Sequence, residues 1–485
     1  MQPVPNPTGP PALSRVLGTR DLVLLNIAAI VGLRWLTTAA KIGPSSLILW
    51  ALGLVLFFVP VALAVLELSS RLPGEGGLYL WTKAAFGNRH GFIAGWTYWI
   101  TNLVFFPALL LFGAGVSLYL GGDRWLALVD NPAYNATYCV VALWGATALN
   151  IVGLNRAKWL QNIGGLATWS AAALLLVAGV VVWFKFGSAT LVTTSNVIPD
   201  LGSAATLTGL ATIALAYGGM ELGPILGGEI KNPRRQIPQA MLISGIFVTV
   251  IYMAGTFALL VALPAHQVDL IGGIPQAFAA VGQRLGFPAF GPVVAGLIAL
   301  GNLGGIGAWI AGTARLPFVV GVDRYLPRGL SGLHPRYGTP HVALLTQCTL
   351  TTIILFGALS GSTMHEAFAV LVDMTVILGF LPLLYIFAAL PALRRRAVGN
   401  DARVNLIPGG AAVCWLVSAV GFMTTLLAII TSMIPPPDCQ ERSLFFFKVV
   451  GGCVVLVGTG LLFYQRGQNR RGSAPPDPAV QKRLK

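Results

Sequence analysis

Three charged side chains stand in stretches that are otherwise apolar. Arg34 lies in Ile30-Val31-Gly32-Leu33-Arg34-Trp35, Glu221 closes Ala216-Tyr217-Gly218-Gly219-Met220-Glu221, and Asp373 follows Leu371 and Val372. A charge in the middle of a hydrocarbon layer costs about 2.5–3.5 kcal/mol on insertion scales and persists there only with a partner or a wet cavity. A guanidinium offers a planar fork of donors that suits a carboxylate. Arg34 therefore either binds a solute carboxylate, stands in for a coupling cation, or serves only as the structural partner of Glu221. Paired glycines weaken a helix by about 1 kcal/mol each, so Gly218-Gly219 is either a break in a helix or a close packing site between helices. Asp373 either caps a neighbouring helix or relays a proton. Glu67, nearer the end of its apolar run, is expected to reach the headgroups. The five histidines (His90, His266, His334, His341 and His365) lie near loops or segment ends, and the five cysteines form no CxxC pair or other ligand spacing. We expect no metal site, no cofactor and no disulfide framework. No nucleophile–base pair is visible by spacing, which makes an enzyme the weakest reading.

The elements that must hold these residues follow from composition. The 485 residues are 55% hydrophobic and 10% charged, where soluble domains carry about 25% charged residues. A bilayer core takes about 20 apolar residues of helix to cross. Twelve such segments are predicted, at residues 22–40, 46–70, 91–120, 134–152, 160–184, 204–228, 240–263, 289–318, 342–359, 367–390, 407–434 and 444–464. No connection is long enough for a separate soluble domain. Residues 72–87 are expected to form a connecting helix on one face and residues 274–285 a short amphipathic helix on the other. The Pro-rich residues 1–20 and the basic residues 466–485 are expected to be disordered tails around one transmembrane unit, 21–465.

Twelve spans put both termini on one side. If that side is the cytoplasm, 24 of the 31 Lys and Arg fall on inner segments and 6 on outer ones. This bias predicts cytoplasmic termini and explains the net charge of +15 without nucleic acid. Arg34 is the remaining one, inside the first span. The first and sixth spans thus each carry an interruption and a charge at similar depth, five spans apart. Many transporters are built from two inverted repeats with one discontinuous helix in each. A five-plus-five repeat, about 21–186 and 203–391, with two extra helices at about 407–465, accounts for all twelve segments of this all-α membrane protein. Broken helices leave N–H and C=O groups near the midplane that suit a zwitterion.

Several stretches carry a resemblance. They are Glu67 to Tyr79 (ELSSRLPGEGGLY), Ala84-Ala85-Phe86-Gly87, Gly91 to Trp96, Tyr217 to Glu221, Gly228 to Arg235 with Ile237-Pro238, and Arg315 to Pro327. Together they make the chain resemble the amino acid–polyamine–organocation permeases from about Leu17 to Tyr464, with Leu33-Arg34-Trp35 most similar to the glutamate/γ-aminobutyrate antiporter-like branch. The resemblance implies a secondary transporter of the cell membrane that moves amino acids by alternating access. It implies a solute site at the first and sixth breaks (Val31, Gly32, Leu33, Arg34, Trp35, Tyr217, Gly218, Gly219 and Glu221), with walls from the third, eighth and tenth spans. Gly32 matches the first glycine of the family's Gly-Ser-Gly motif, Leu33 replaces its serine, and Arg34 replaces its second glycine, which puts the usual bare-backbone cradle in question. Tyr217 matches an aromatic gate. Thr168 stands where some proton-coupled relatives carry a lysine, so that device is absent. Glu221, Asp373 and Thr168 are the coupling or gating candidates. The alternatives are a polyamine or cationic-amine carrier and a solute sensor that does not transport. The expected partners are a small solute and membrane lipid, and the chain is a monomer or a homodimer.

Overall fold

The computed structural model describes residues 18–72, 77–219, 233–314, 330, 334–396, 406–435, 439 and 441–472. These residues form helices joined by short turns, with no strand among them. Among the described residues, ten helices are long and apolar enough to cross a membrane. They are α3 (Ser46–Arg71), α5 (Asn88–Leu118), α6 (Pro132–Val152), α7 (Leu154–Phe186), α9 (Pro233–Ala262), α11 (Phe290–Thr313), α12 (His341–Leu359), α13 (Met364–Arg396), α14 (Gly410–Thr431) and α15 (Arg442–Asn469). Between and beside them lie α1 (Thr19–Ile30), α2 (Arg34–Ile42), α4 (Leu78–Phe86), α8 (Ala204–Ala216) and α10 (Gly273–Leu285). The two short connecting helices expected at 72–87 and 274–285 are α4 and α10. The first predicted span is present as two pieces, α1 and α2. The sixth is described only as far as Gly219.

Burial shows how the layers sit. Almost every residue of α5 from Gly91 to Leu118 is buried, so α5 is the centre of the bundle, packed against α13, α11, α4 and α12. On α7, α9 and α15 the outward faces are apolar instead. Phe184 is 87% exposed and Phe447 74%. Apolar surface of that extent is unfavourable in water and costs nothing against lipid chains, which fits a multi-pass membrane protein.

Close crossings depend on small residues. α7 and α11 meet at Gly164 and Gly304, where a Cβ on Gly304 would sit 2.8 Å from the Gly164 Cα and 2.7 Å from the Leu160 carbonyl oxygen. Within lipid, helices associate through such van der Waals contact rather than through a hydrophobic drive. In the middle of α3, Leu54–Phe58 forms one π-helical turn. Phe57 in this turn stacks on Phe380 of α13 at 4.8 Å, and Phe58 lies 5.4 Å from Tyr217.

The reading of Glu67 needs correction. It does not reach toward headgroups but is fully buried at the end of α3, 2.8 Å from Arg71 and 3.5 Å from Arg394 of α13. Its second oxygen also accepts the backbone N–H of Ile407, ahead of α14, at 3.2 Å.

Candidate functional site

The first helix stops where the sequence says a helix is hard to continue. α1 ends at Ile30, Val31 and Gly32 are non-helical, Leu33 is a turn residue, and α2 begins at Arg34. The space at Gly32 is what Arg34 needs: a Cβ there would come within 2.8 Å of Arg34 Nη1. The guanidinium folds back over the break and lies 4.5 Å from the Trp35 ring centre and 4.8 Å from that of Phe105 on α5. Two aromatic faces hold a cation without using its directional donors. The Arg34 Nε hydrogen has no partner among the described residues.

Beside this break the other one begins. α8 ends at Ala216, and Tyr217, Gly218 and Gly219 form a turn. Gly219 takes φ 114°, a conformation that side-chain-bearing residues avoid. A single hydroxyl ties the two chain ends together. Tyr252 Oη on α9 lies 2.6 Å from the Ile30 carbonyl and 3.1 Å from that of Ala216, and it accepts the Gly32 N–H at 3.2 Å. Those are backbone groups that a helix end leaves unpaired, and in a membrane interior nothing but protein can satisfy them. Trp50 of α3 stacks on the Tyr252 ring at 4.4 Å and donates its indole N–H to Thr256 Oγ1 at 3.0 Å. Tyr252→Phe removes the hydroxyl and leaves the same ring. It is expected to cost about 1–3 kcal/mol of stability, the penalty for orphaned buried polar groups. Thermal unfolding of the purified variant checks this; an unchanged unfolding midpoint contradicts the role.

A cavity opens between the two breaks. Its wall holds Arg34, Trp35, Gly218 and Gly219 from the breaks, and Tyr98, Thr101, Asn102 and Phe105 from α5. Trp309 comes from α11, and Thr375, Gly379 and Phe380 from α13. The accessible part of Arg34 faces into it. Asn102 Nδ2 donates to the Tyr98 carbonyl at 2.8 Å, and Phe105 meets Trp309 edge to face at 6.1 Å. Among the described residues the chamber is thus aromatic, with one cation and a few neutral polar groups. That arrangement can take up a small solute with an apolar body and a carboxylate.

The remaining candidates fall elsewhere. Val31, Gly32 and Leu33 shape the break without lining the cavity. Tyr217 turns away from it: its hydroxyl donates within reach of the Trp50 carbonyl and Thr249 Oγ1, at 3.0 and 3.1 Å, and its ring packs on Trp50 and Phe58. Thr168 donates to the Gly164 carbonyl at 3.0 Å inside the α7–α11 seam, against Gly301. Asp373 is buried on α13 beside Ser432 and Cys453, off the cavity wall. Glu221 lies outside the described residues, and so does any pairing with Arg34. Tyr252, Phe105, Asn102 and Trp309 were not singled out in the sequence, where each resembles any other residue of a long apolar helix.

Comparison with known proteins agrees with this geometry. The family model described as "Amino acid permease" matches residues 17–457. An uncharacterized transporter of Legionella pneumophila is 30% identical over 93% of the chain and 97% of its own length. A glutamate/gamma-aminobutyrate antiporter of Lactococcus lactis is 24% identical over 82% of the chain and 80% of its own length. A probable agmatine/putrescine antiporter of the same species is 23% identical over 90% and 92%. With a family match over nearly the whole chain and an interrupted helix at an aromatic cavity, the chain belongs to the amino acid permeases of the amino acid–polyamine–organocation superfamily.

Proposed function

We propose that the protein is a secondary active transporter of the cell membrane that moves amino acids by alternating access, with Arg34 as the group that binds the solute carboxylate. The observation that carries this reading is the Arg34 guanidinium, set at the first break and facing an aromatic-walled cavity, its Nε hydrogen without a partner among the described residues. Its amphipathic fork suits one carboxylate bidentately. Gly218 and Gly219 supply the backbone on the facing side, and Glu221 balances Arg34 when the site is empty. Tyr217 and Tyr252 position the breaks rather than touch solute. The twelve-span, five-plus-five inverted repeat and the cytoplasmic termini belong to this reading. They are supported by the equivalent placing of the two interruptions and by the 24-to-6 distribution of basic residues. Solute binding then biases a rocking equilibrium between two access states. Asp373, buried on the helix that also lines the cavity, is the proton-coupling candidate of this scheme; Thr168 is a packing residue in it.

The relative described as a probable agmatine/putrescine antiporter favours a second reading, a carrier of cationic amines. Arg34 opposes it, and the described cavity wall holds no carboxylate. A counterflow panel of acidic, neutral and basic amino acids and putrescine separates the two. It uses the purified protein in proteoliposomes, at two pH values and with or without sodium. Acidic or neutral amino acids are expected to drive counterflow and putrescine to fail. Counterflow by putrescine alone overturns the amino acid reading.

A further inference from the structure

At the α10 end of the bundle, away from the cavity, four elements are joined by a small polar cluster. Asp269 lies in the connection between α9 and α10. One of its oxygens accepts the backbone N–H groups of Ile271 and Gly272, and its own N–H donates to Gln276 Oε1 at 3.0 Å. Its other oxygen lies 2.8 Å from Nε2 of His365, the second residue of α13. The next residue, Leu270, offers its carbonyl to the Thr37 hydroxyl of α2 at 2.6 Å, and the same hydroxyl lies 2.7 Å from the Arg34 carbonyl. Asp130, ahead of α6, accepts the N–H of Met364 at 3.1 Å. A continuous path therefore runs from the backbone of Arg34 through Thr37, Leu270 and Asp269 to His365. The path crosses from α2 to α13, two of the helices that enclose the cavity.

We propose that the Asp269–His365 pair is a proton-operated latch that holds α2 and the α9–α10 connection against α13, keeping the cavity shut at this face until His365 loses its proton. This inference rests on the proposed transport reading, in which the α10 face is the outer one. Burial by itself would raise the Asp269 carboxyl. The His365 hydrogen bond, the His365 charge and the two backbone N–H groups outweigh it and hold the carboxyl below the usual carboxylate range. Asp269 therefore stays anionic across the range in which an imidazole titrates, near about pH 6.5. The proton on His365 makes the pair an ion pair. Its loss as pH rises leaves one hydrogen bond from a neutral imidazole to the carboxylate, so the shut state weakens toward alkaline pH. Among the described residues, Asp130 and Lys41 act on His365 from across the interface and the Tyr119 phenol lies beside Asp269; Glu366 follows His365 on α13, and Lys448 of α15 feels the Glu366 charge. Both partners are about one-third exposed, and exposed pairs contribute modestly, so the shut-to-open ratio is expected to change about two- to five-fold.

The test places nitroxides at Gln267→Cys and Ala133→Cys, both exposed and on opposite sides of the latch. Cys439→Ser is added, and pulsed dipolar distances are measured in nanodiscs at pH 5.5 and 8.5. The long-distance population is expected to grow about two- to five-fold on going to pH 8.5. His365→Gln keeps a donor without the charge and is expected to give the pH 8.5 distribution at both values. His365→Lys keeps the charge and is expected to give the pH 5.5 distribution at both. A distribution in the unmodified latch that ignores pH, or a His365→Gln protein that still responds as fully, overturns the proposal. Counterflow on the same preparations tells the two readings apart. Distances that respond without counterflow leave the latch standing and sink the transport reading; counterflow with unresponsive distances sinks the latch alone.

Discussion

Arg34→Gln is expected to lower the transport kcat/KM at least about 100-fold in protein that still elutes as a monodisperse peak. Removing one partner of a desolvated charge pair costs about 3–5 kcal/mol, and every 1.4 kcal/mol is about tenfold in affinity. Gln keeps an amide donor but neither the charge nor the paired donors, and it forfeits the contacts with Trp35 and Phe105 that aim the group into the cavity. Arg34→Lys separates charge from shape. A lysine restores a point charge without the fork, so it is expected to recover part of the rate with an apparent KM raised roughly tenfold. Uptake of each amino acid that drives counterflow, measured over a concentration series for the three proteins, gives both constants. Unchanged apparent affinity in Arg34→Lys removes the bidentate role, and unchanged transport in Arg34→Gln removes Arg34 from the site altogether.

How much of this was legible in the sequence depends on the range over which each signal acts. A span announces itself by some 20 local residues, so ten long helices were readable without any partner contact. The break at Val31–Leu33 was readable for the same reason, because a glycine and a buried arginine are local misfits in an apolar run. The end of α8 at Ala216 followed from Gly218-Gly219 in the same way. Tyr252 was not readable. Its hydroxyl matters because it reaches Ile30, 222 positions away, and Ala216, 36 positions away, and nothing local in α9 says so. The aromatic position Tyr217 was visible, but the direction of its ring was not; Gly53 on α3 leaves the space into which that ring turns. Thr168, aligned with a position where some relatives carry a lysine, lies in the α7–α11 seam with its hydroxyl on the Gly164 carbonyl, a contact that nothing local in α7 announces. The latch residues Asp269 and His365 sit at a loop and a helix start, where a lone acid and a lone histidine carry no local pattern.

Glu67 shows the same limit and carries the largest stability effect. From the sequence its one evident partner is Arg71, a helical turn away, and such a pair at a surface contributes a few tenths of a kcal/mol. The fold adds Arg394, 327 positions on, and the N–H of Ile407, and it buries the carboxylate completely. One anion thus joins the ends of α3 and α13 to the segment that leads into α14. Glu67→Ala removes the carboxylate that two guanidinium groups, 5% and 11% exposed, share, and it is expected to cost about 3–5 kcal/mol. The triple replacement of Glu67, Arg71 and Arg394 by Met is expected to recover most of that loss, because a buried ionic cluster and a well-packed apolar one differ little in net stability. Thermal and denaturant unfolding of the single and triple variants in one detergent decides it. If Glu67→Ala unfolds within about 1 kcal/mol of the parent, the range of an exposed ion pair, the junction contributes no more than a surface pair. If it falls as expected and the triple variant recovers, the charge at the end of α3 holds three helices together through electrostatic compensation rather than through packing.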